Sequence, residues 1–466
     1  MASANVDSVA RWLEQHAAVG ALTVGAAAVI AVEWVRGGAT SGASPGWLTV
    51  EVLVMSMALL VAWHEQEQLR LTPLLAVAAA YALAVVLVHD AVGTPGETDG
   101  AVYAAQGNEL LDGDYPRSEY PVGAVLLFGL DALIGGGTVR TTHGLLMIPF
   151  LLAATAAIWL LTTKWSAWLA AVFALWPADL YFVHMRFDIV VVALLLLGLL
   201  FALREQWMTA GALLGVGAAV KWSPALACAF LVLWLVASRR PRDALRHACA
   251  FVAAFVAISL PFALWQAGDV LAAYSRQSTR GITAESLPYL PLRLVGLAEP
   301  GASGELQDPA AVPAWADGAA VVLQLLLVLA VVLLAVWSRA TLAGAVAAAA
   351  LAPAVFLLTN RVFSPQFALV VLAAWTVASS LLARSRAEQL LLAAVAMLAT
   401  FANAMVMPGF VGSWVGWSGL YFGLSLGLTA WLLLAVVQRA SDRASDVPGP
   451  LGSEATPPTW LTVSAP

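Results

Sequence analysis

Charge is what this chain has least of. Only 11% of its 466 residues are Asp, Glu, Lys or Arg, against 61% hydrophobic, and mean hydropathy is +0.86. That balance excludes an ordinary soluble globule. Lysine is nearly absent: Lys164 and Lys221 are the only two, and the remaining basic residues are arginines. The two cysteines, Cys228 and Cys249, both fall in apolar runs, which argues against a disulfide framework. The first apolar run, 17–35, has neither a basic leader nor a clear small-residue cleavage site, so it is expected to stay as a helix. No internal repeat is evident, which counts against the inverted-repeat transporter folds.

What is present in abundance is apolar sequence at membrane length. A span needs about 20 apolar residues, and lipid leaves the backbone no partner but itself, so an all-α polytopic chain follows. The expected helices cover 17–35, 47–63, 71–89, 142–162, 165–184, 188–203, 207–220, 222–238, 247–265, 319–337, 340–359, 365–383, 387–407 and 415–437. That makes about 13 to 14 transmembrane helices. The stretch 121–136 is apolar but short and carries Asp131, which favours a helix lying along the membrane surface.

Basic residues set the orientation. Arg239, Arg240, Arg242 and Arg246 crowd one loop; Arg384 and Arg386 another; Arg439 and Arg443 follow the last helix; Arg204 and Arg339 sit in tight turns. With 121–136 interfacial, all of them fall on the cytoplasmic side. The loops 90–141 and 266–318 and the turn Asn360–Gln366 then share the opposite face. Residues 1–438 read as one membrane domain, and 439–466, rich in Pro, Ser and Gly, as a disordered cytoplasmic tail.

The scarce carboxylates are not scattered. Between His89 and Pro121 stand Asp90, Glu97, Asp99, Glu109, Asp112, Asp114 and Glu119, with Arg117 the only Lys or Arg. Within this stretch Glu97-Thr98-Asp99-Gly100 precedes Tyr103, then come Gly113-Asp114-Tyr115 and Glu119-Tyr120-Pro121. A carboxylate at a helix start is stabilised by the helix dipole, so Asp99 is either a reactive group or an N-cap.

These segments resemble the GT-C superfamily of integral-membrane glycosyltransferases, and within it glycosyltransferase family 87. Further stretches agree in order: Trp176-Pro177, Arg186-Phe187-Asp188, Val220-Lys221-Trp222-Ser223-Pro224, Arg280-Gly281-Ile282-Thr283-Ala284-Glu285-Ser286 and Phe363-Ser364-Pro365-Gln366-Phe367. Two departures stand out. Arg186-Phe187-Asp188 replaces a Gly-Gln-x-Asp type segment, and Tyr120-Pro121-Val122 replaces Tyr-Pro-Pro, which puts the identity of the donor sugar or the acceptor in question.

The resemblance implies a GT-C-type fold and inverting transfer of a hexose, mannose by default, from a polyprenyl-phosphate sugar. The acceptor would be a lipid-linked molecule or a glycan, met at the outer face of a bacterial cytoplasmic membrane. Such transfer needs one base for the acceptor hydroxyl, expected to be Asp99 with Glu97 as rival. The leaving phosphate needs cations, expected to be Arg186, Lys221, Arg280 and Arg361. Lys221 lies between two apolar runs, where a base is costly and therefore functional, or else snorkels. Tyr103, Tyr115, Tyr120, Asp188, Glu285, Gln366 and His184 are expected in support, with Arg280–Glu285 a possible structural ion pair. Beyond substrates the expected partners are membrane lipids, with no nucleic acid. No cofactor and no metal is expected, although the acidic loop has the oxygen ligands for a divalent cation. The competing readings are a ligase- or polymerase-like enzyme with diphosphate donors, and a transporter or flippase of lipid-linked sugars.

Overall fold

In the computed structural model, residues 2–38, 45–92, 99–135, 139–162, 166–301, 309–337, 340–407 and 414–445 are described. Their helices are α1 (Ala2–Gly38), α2 (Pro45–His64), α3 (Leu71–Val92), α4 (Asp99–Leu111), α5 (Val122–Gly135) and α6 (Val139–Leu161). After these come α7 (Trp168–Leu175), α8 (Pro177–Met185), α9 (Asp188–Leu203), α10 (Trp207–Val220), α11 (Ser223–Ala237), α12 (Pro241–Trp265) and α13 (Ala267–Thr279). The chain closes with α14 (Tyr289–Leu294), α15 (Ala314–Trp337), α16 (Leu342–Leu358), α17 (Ala368–Leu382), α18 (Arg386–Val406) and α19 (Trp414–Ser445). Extended pairing among the described residues is limited to the isolated bridges Thr283–Pro309 and Glu299–Ala311. The chain is an all-α polytopic membrane protein.

Every expected apolar run is helical, but not every one is a full-length span. Among the described residues, nine helices are long and apolar enough to cross a membrane, and α7 with α8, bent by 60°, makes a tenth if counted as one. The bend falls at Pro177, which lacks an N–H and cannot continue the ladder from α7. The other expected runs are the short helices α9, α10, α11 and α16, of 14 to 17 residues. Helix α19 continues to Ser445, so 439–445, expected in the tail, is helical; no Pro or Gly interrupts the chain before Pro448. The remainder of the tail lies outside the described residues, as do Glu97 and Lys164.

Helix α5, at 14 residues, is shorter than the helices long enough to cross a membrane. Asp90 in the last turn of α3 accepts a hydrogen bond from Thr141 Oγ1 in the first turn of α6 at 2.5 Å. The chain therefore leaves and re-enters the bundle at one point, and α4 and α5 lie along that end. The opposite end gathers the arginine-rich loops: Arg240 pairs with Glu205 at 2.6 Å and Arg386 with Glu67 at 2.9 Å. There Arg439 also donates to the carbonyls of Leu381 and Ala383.

Small residues let the backbones meet. Gly211 and Gly215, four apart on α10, lie directly under the carbonyls of His247 and Phe251 on α12. In lipid, where apolar burial gives helices no reason to associate, such close approach supplies the packing. The alanine-rich α16 and the almost wholly buried α17 form the centre of the bundle. Helices α11 and α12 share the loop 238–240, yet α12 has 25 residues and α11 only 15. At 1.5 Å per residue, α12 outreaches α11 by about 15 Å at the other end.

The α10–α12 contact gives a direct test. A Cβ at Gly211 would fall on the His247 carbonyl, whereas one at Gly20 in α1 would meet nothing. Gly211→Ala is expected to cost about 1–3 kcal/mol from overpacking, seen as a lower melting temperature in detergent, and Gly20→Ala nothing.

Candidate active site

The end of the bundle that holds α4 and α5 is where buried charged pairs gather. Asp99 opens α4, and its carboxylate meets the guanidinium of Arg186. Arg186 stands between α8 and α9 with an extended backbone, φ −136° and ψ 151°, and is only 3% exposed. Two residues on, Asp188 starts α9 with no exposed surface and accepts a hydrogen bond from Lys221 Nζ at 2.5 Å. Lys221 terminates α10, and its ammonium sits 4.4 Å from the ring centre of Phe367 and 5.3 Å from that of Phe187. Aromatic faces and a carboxylate thus replace the water a lysine loses on burial.

A second layer closes over the first. Arg280, which ends α13, donates to Glu119 at 3.2 Å, with both side chains about one-third exposed. Glu285 lies beneath, 4% exposed. Burial pushes its carboxyl up to about 8, against the pull of Arg186 and Arg280, so at neutral pH it holds its proton. Burial brings Arg186 down to about 10, with Asp188 and Glu285 opposing, and it stays charged. Tyr103 is fully buried and stacked on Phe128 with ring centres 4.3 Å apart. Tyr120 packs edge-on against Phe128 and Phe187 at 5.5 and 5.3 Å. Burial pushes both phenols upward, so both hydroxyls keep their protons.

The expected site residues divide accordingly. Asp99, Arg186, Asp188, Lys221, Arg280, Glu285, Tyr103 and Tyr120 converge. Gln366 sits in the turn Pro365–Phe367 beside the Phe367 platform, where its Oε1 accepts from Ser364 Oγ at 2.5 Å. Arg361 lies 3.9 Å from Asp317, and its carbonyl accepts from the Thr283 N–H at 2.9 Å, which fixes the strip leading to Glu285.

Others go elsewhere. Tyr115 packs in a separate apolar cluster with Val122, Val125 and Val270. His184 bonds to His89, not to the group around Arg186, because it occupies the last turn of α8 and reaches across to α3. The Arg280–Glu285 ion pair is replaced by Arg280–Glu119: Glu285 is buried and protonated, and Glu119 is as accessible as its arginine.

Several residues were not foreseen. Phe187 and Phe367 flank Lys221, and Asp131 of α5 bonds buried His143 at 2.5 Å. Glu33, Arg36 and Glu51 of α1 and α2 gather around His89. Their signal was available: Glu33 and Arg36, three apart on an apolar run, form an intramembrane charge pair that is costly unless used. Among the described residues, no group of three or more His, Cys, Asp or Glu is placed to hold a metal ion.

A sequence model of glycosyltransferase family 87 matches residues 119–365, a little over half the chain. The match takes in Glu119, Arg186, Asp188, Lys221, Arg280, Glu285 and Arg361; Asp99 and Tyr103 precede it. No curated protein matches the chain.

The Asp188–Lys221 pair makes a second test. Lys221→Met strands a buried carboxylate and is expected to cost about 3 kcal/mol or more. Adding Asp188→Asn to it should restore much of the loss. Thermal unfolding of the single and double variants checks this, and a double variant no better than Lys221→Met alone would contradict it.

Proposed function

The chain belongs to glycosyltransferase family 87, and from that premise we propose that this membrane glycosyltransferase moves a hexose, mannose first among them, from a polyprenyl-phosphate sugar to a lipid-linked or glycan acceptor. The reaction takes place on the outer face of a bacterial cytoplasmic membrane and inverts the anomeric carbon. The observation that carries the reading is the Asp99–Arg186 pair, one carboxylate and one buried guanidinium, with Lys221 and Arg280 close by.

In this reading the acceptor oxygen attacks C1 of the sugar and its proton passes to Asp99. The bond from C1 to the phosphate oxygen breaks, and that oxygen leaves with the electron pair. Arg186, with Lys221 and Arg280, takes up the charge developing on the phosphate. Asp99 is weak as a base while Arg186 holds it. A donor phosphate competes for the same guanidinium, so donor binding frees the carboxylate at the moment a base is needed. Asp188 and the rings of Phe187 and Phe367 keep Lys221 in place, Arg361 and Gln366 frame the site, and Tyr103 and Tyr120 wall it. Neutral Glu285 adds no repulsion to the phosphate. The chemistry calls for no metal.

Membranes carrying Asp99→Asn are expected to transfer label from polyprenyl-phosphate-mannose at least about 100-fold more slowly than the native chain at equal expression. Undiminished transfer would remove Asp99 from the role of base. Other lipid-linked sugars, offered to the native chain, decide the donor.

Glu285 predicts the pH profile. Above about pH 8 its carboxyl ionises beside Arg186 and Arg280, so the KM for donor should rise there, and Glu285→Gln should flatten that rise. Stability follows the same sign. From the ordinary 4.5 to about 8 the folded chain keeps a proton the unfolded chain has lost, so rising pH destabilises the fold across that window.

A further inference from the structure

Away from the Asp99–Arg186 cluster, a second buried polar group joins three helices inside the apolar bundle. Glu33 Oε2 of α1 lies 3.2 Å from His89 Nε2 of α3, and His89 Nδ1 lies 2.6 Å from His184 Nε2 of α8. His184 Nδ1 lies 2.7 Å from the carbonyl of Leu180, one turn back on α8. A cavity of about 30 Å³, room for a water or two, borders Glu33 and His89 and is also lined by Arg36, Glu51, Tyr81 and Tyr181. Glu51 Oε1, in a side chain only 2% exposed, has no hydrogen-bond partner, with Arg36 Nη1 3.9 Å away.

The order of protons along this chain follows from its partners. A carbonyl only accepts, so His184 Nδ1 carries hydrogen and donates to Leu180. In a neutral His184, Nε2 then accepts, and His89 Nδ1–H is the donor to it. Glu33 Oε2 lies within reach of His89 Nε2, so Glu33, His89, His184 and the Leu180 carbonyl form one continuous hydrogen-bonded chain. Besides these partners, the groups facing the pair are Arg36 and Glu51 of α1 and α2, Tyr81 of α3, Tyr181 of α8 and His143 of α6. The bond ties the last turn of α3 to the last turn of α8. Each histidine lies just ahead of one member of the site: Asp99 follows His89 by ten residues, and Arg186 follows His184 by two.

We infer that Glu33, His89 and His184 are positioning residues whose hydrogen-bonded chain locks the end of α3 to the end of α8 and so sets Asp99 against Arg186. The inference rests on the reading of that pair as the site of transfer. The three residues touch no substrate. Their substitution acts on how well the base and the phosphate-binding cation are placed, and the effect falls on turnover.

The test is a two-residue cycle on the full chain in detergent, read two ways. Melting temperatures are measured for Glu33→Leu, His184→Leu and the double variant; kcat and donor KM are measured with the lipid-linked sugar the native chain uses. If His89 couples the two ends, the double variant melts little below the worse single one. His184→Leu should lower kcat about 10- to 100-fold with donor KM within about threefold, the signature of misplacement. His184→Gln, which keeps an acceptor where Nε2 stood, should recover much of it. Additive melting losses with kcat unchanged would reduce the histidines to core packing and overturn the inference. Should the leucine variants fail to accumulate, Glu33→Gln with His184→Gln completes the same cycle. A native chain that transfers from no lipid-linked sugar defeats the proposed function instead, and the melting cycle still decides whether the three residues act as one chain.

Discussion

A charge inside an apolar bundle persists only where another charge or a hydrogen-bonding partner meets it, and the architecture at the end that holds α4 and α5 follows from that condition. Removing an ion from water costs several kcal/mol even after relaxation, so an unpaired Arg186 or Asp188 would unfold or neutralise its surroundings. The chain meets the condition by drawing partners from distant segments. Asp99 comes from the start of α4 to Arg186, and Lys221 from the end of α10 to Asp188. Each pair fastens two helix ends, so a single requirement of electrostatics both closes the fold and concentrates reactive groups. The opposite end needs no such arrangement, since its arginines pair with half-exposed carboxylates or backbone carbonyls near water.

The helices were legible in the sequence because lipid thickness constrains length and composition together. Each of the expected apolar runs is helical in the structure, and 121–136 forms the short helix α5, whose Asp131 is fully buried. Less legible was which helices stop short. Periodicity marks an apolar run as helical without saying whether it spans, and α9, α10 and α11 look like their longer neighbours until the Asp188 and Lys221 boundaries are seen to face each other. The 60° break at Pro177 had a local cause, a missing donor, but its angle depends on what packs around it.

The candidate site divided along the same line. Residues bounded by helix ends, such as Arg186, Asp188 and Lys221, could be placed together because topology puts those ends on one face. Residues whose placement depends on a partner far away in sequence could not. Arg280 has Glu285 five residues on, yet pairs with Glu119, which is 161 residues distant and as accessible as itself. His184 is two residues from Arg186 but sits on a helix, where two residues turn a side chain well away, and so it joins α3 instead. Tyr115 carries the same kind of signal as Tyr103 and Tyr120, and only packing against α12 and α13 separates it from them.

If the donor is lipid-linked, as proposed, the mismatch in length between α11 and α12 bears on how it arrives. A molecule anchored by a hydrocarbon tail cannot rise out of its leaflet; its headgroup travels at a fixed height. The start of α11 lies about 15 Å short of the end of α12, which brings Lys221, two residues before it, toward that height. Encounter then becomes a lateral search in a plane, not a capture from bulk water.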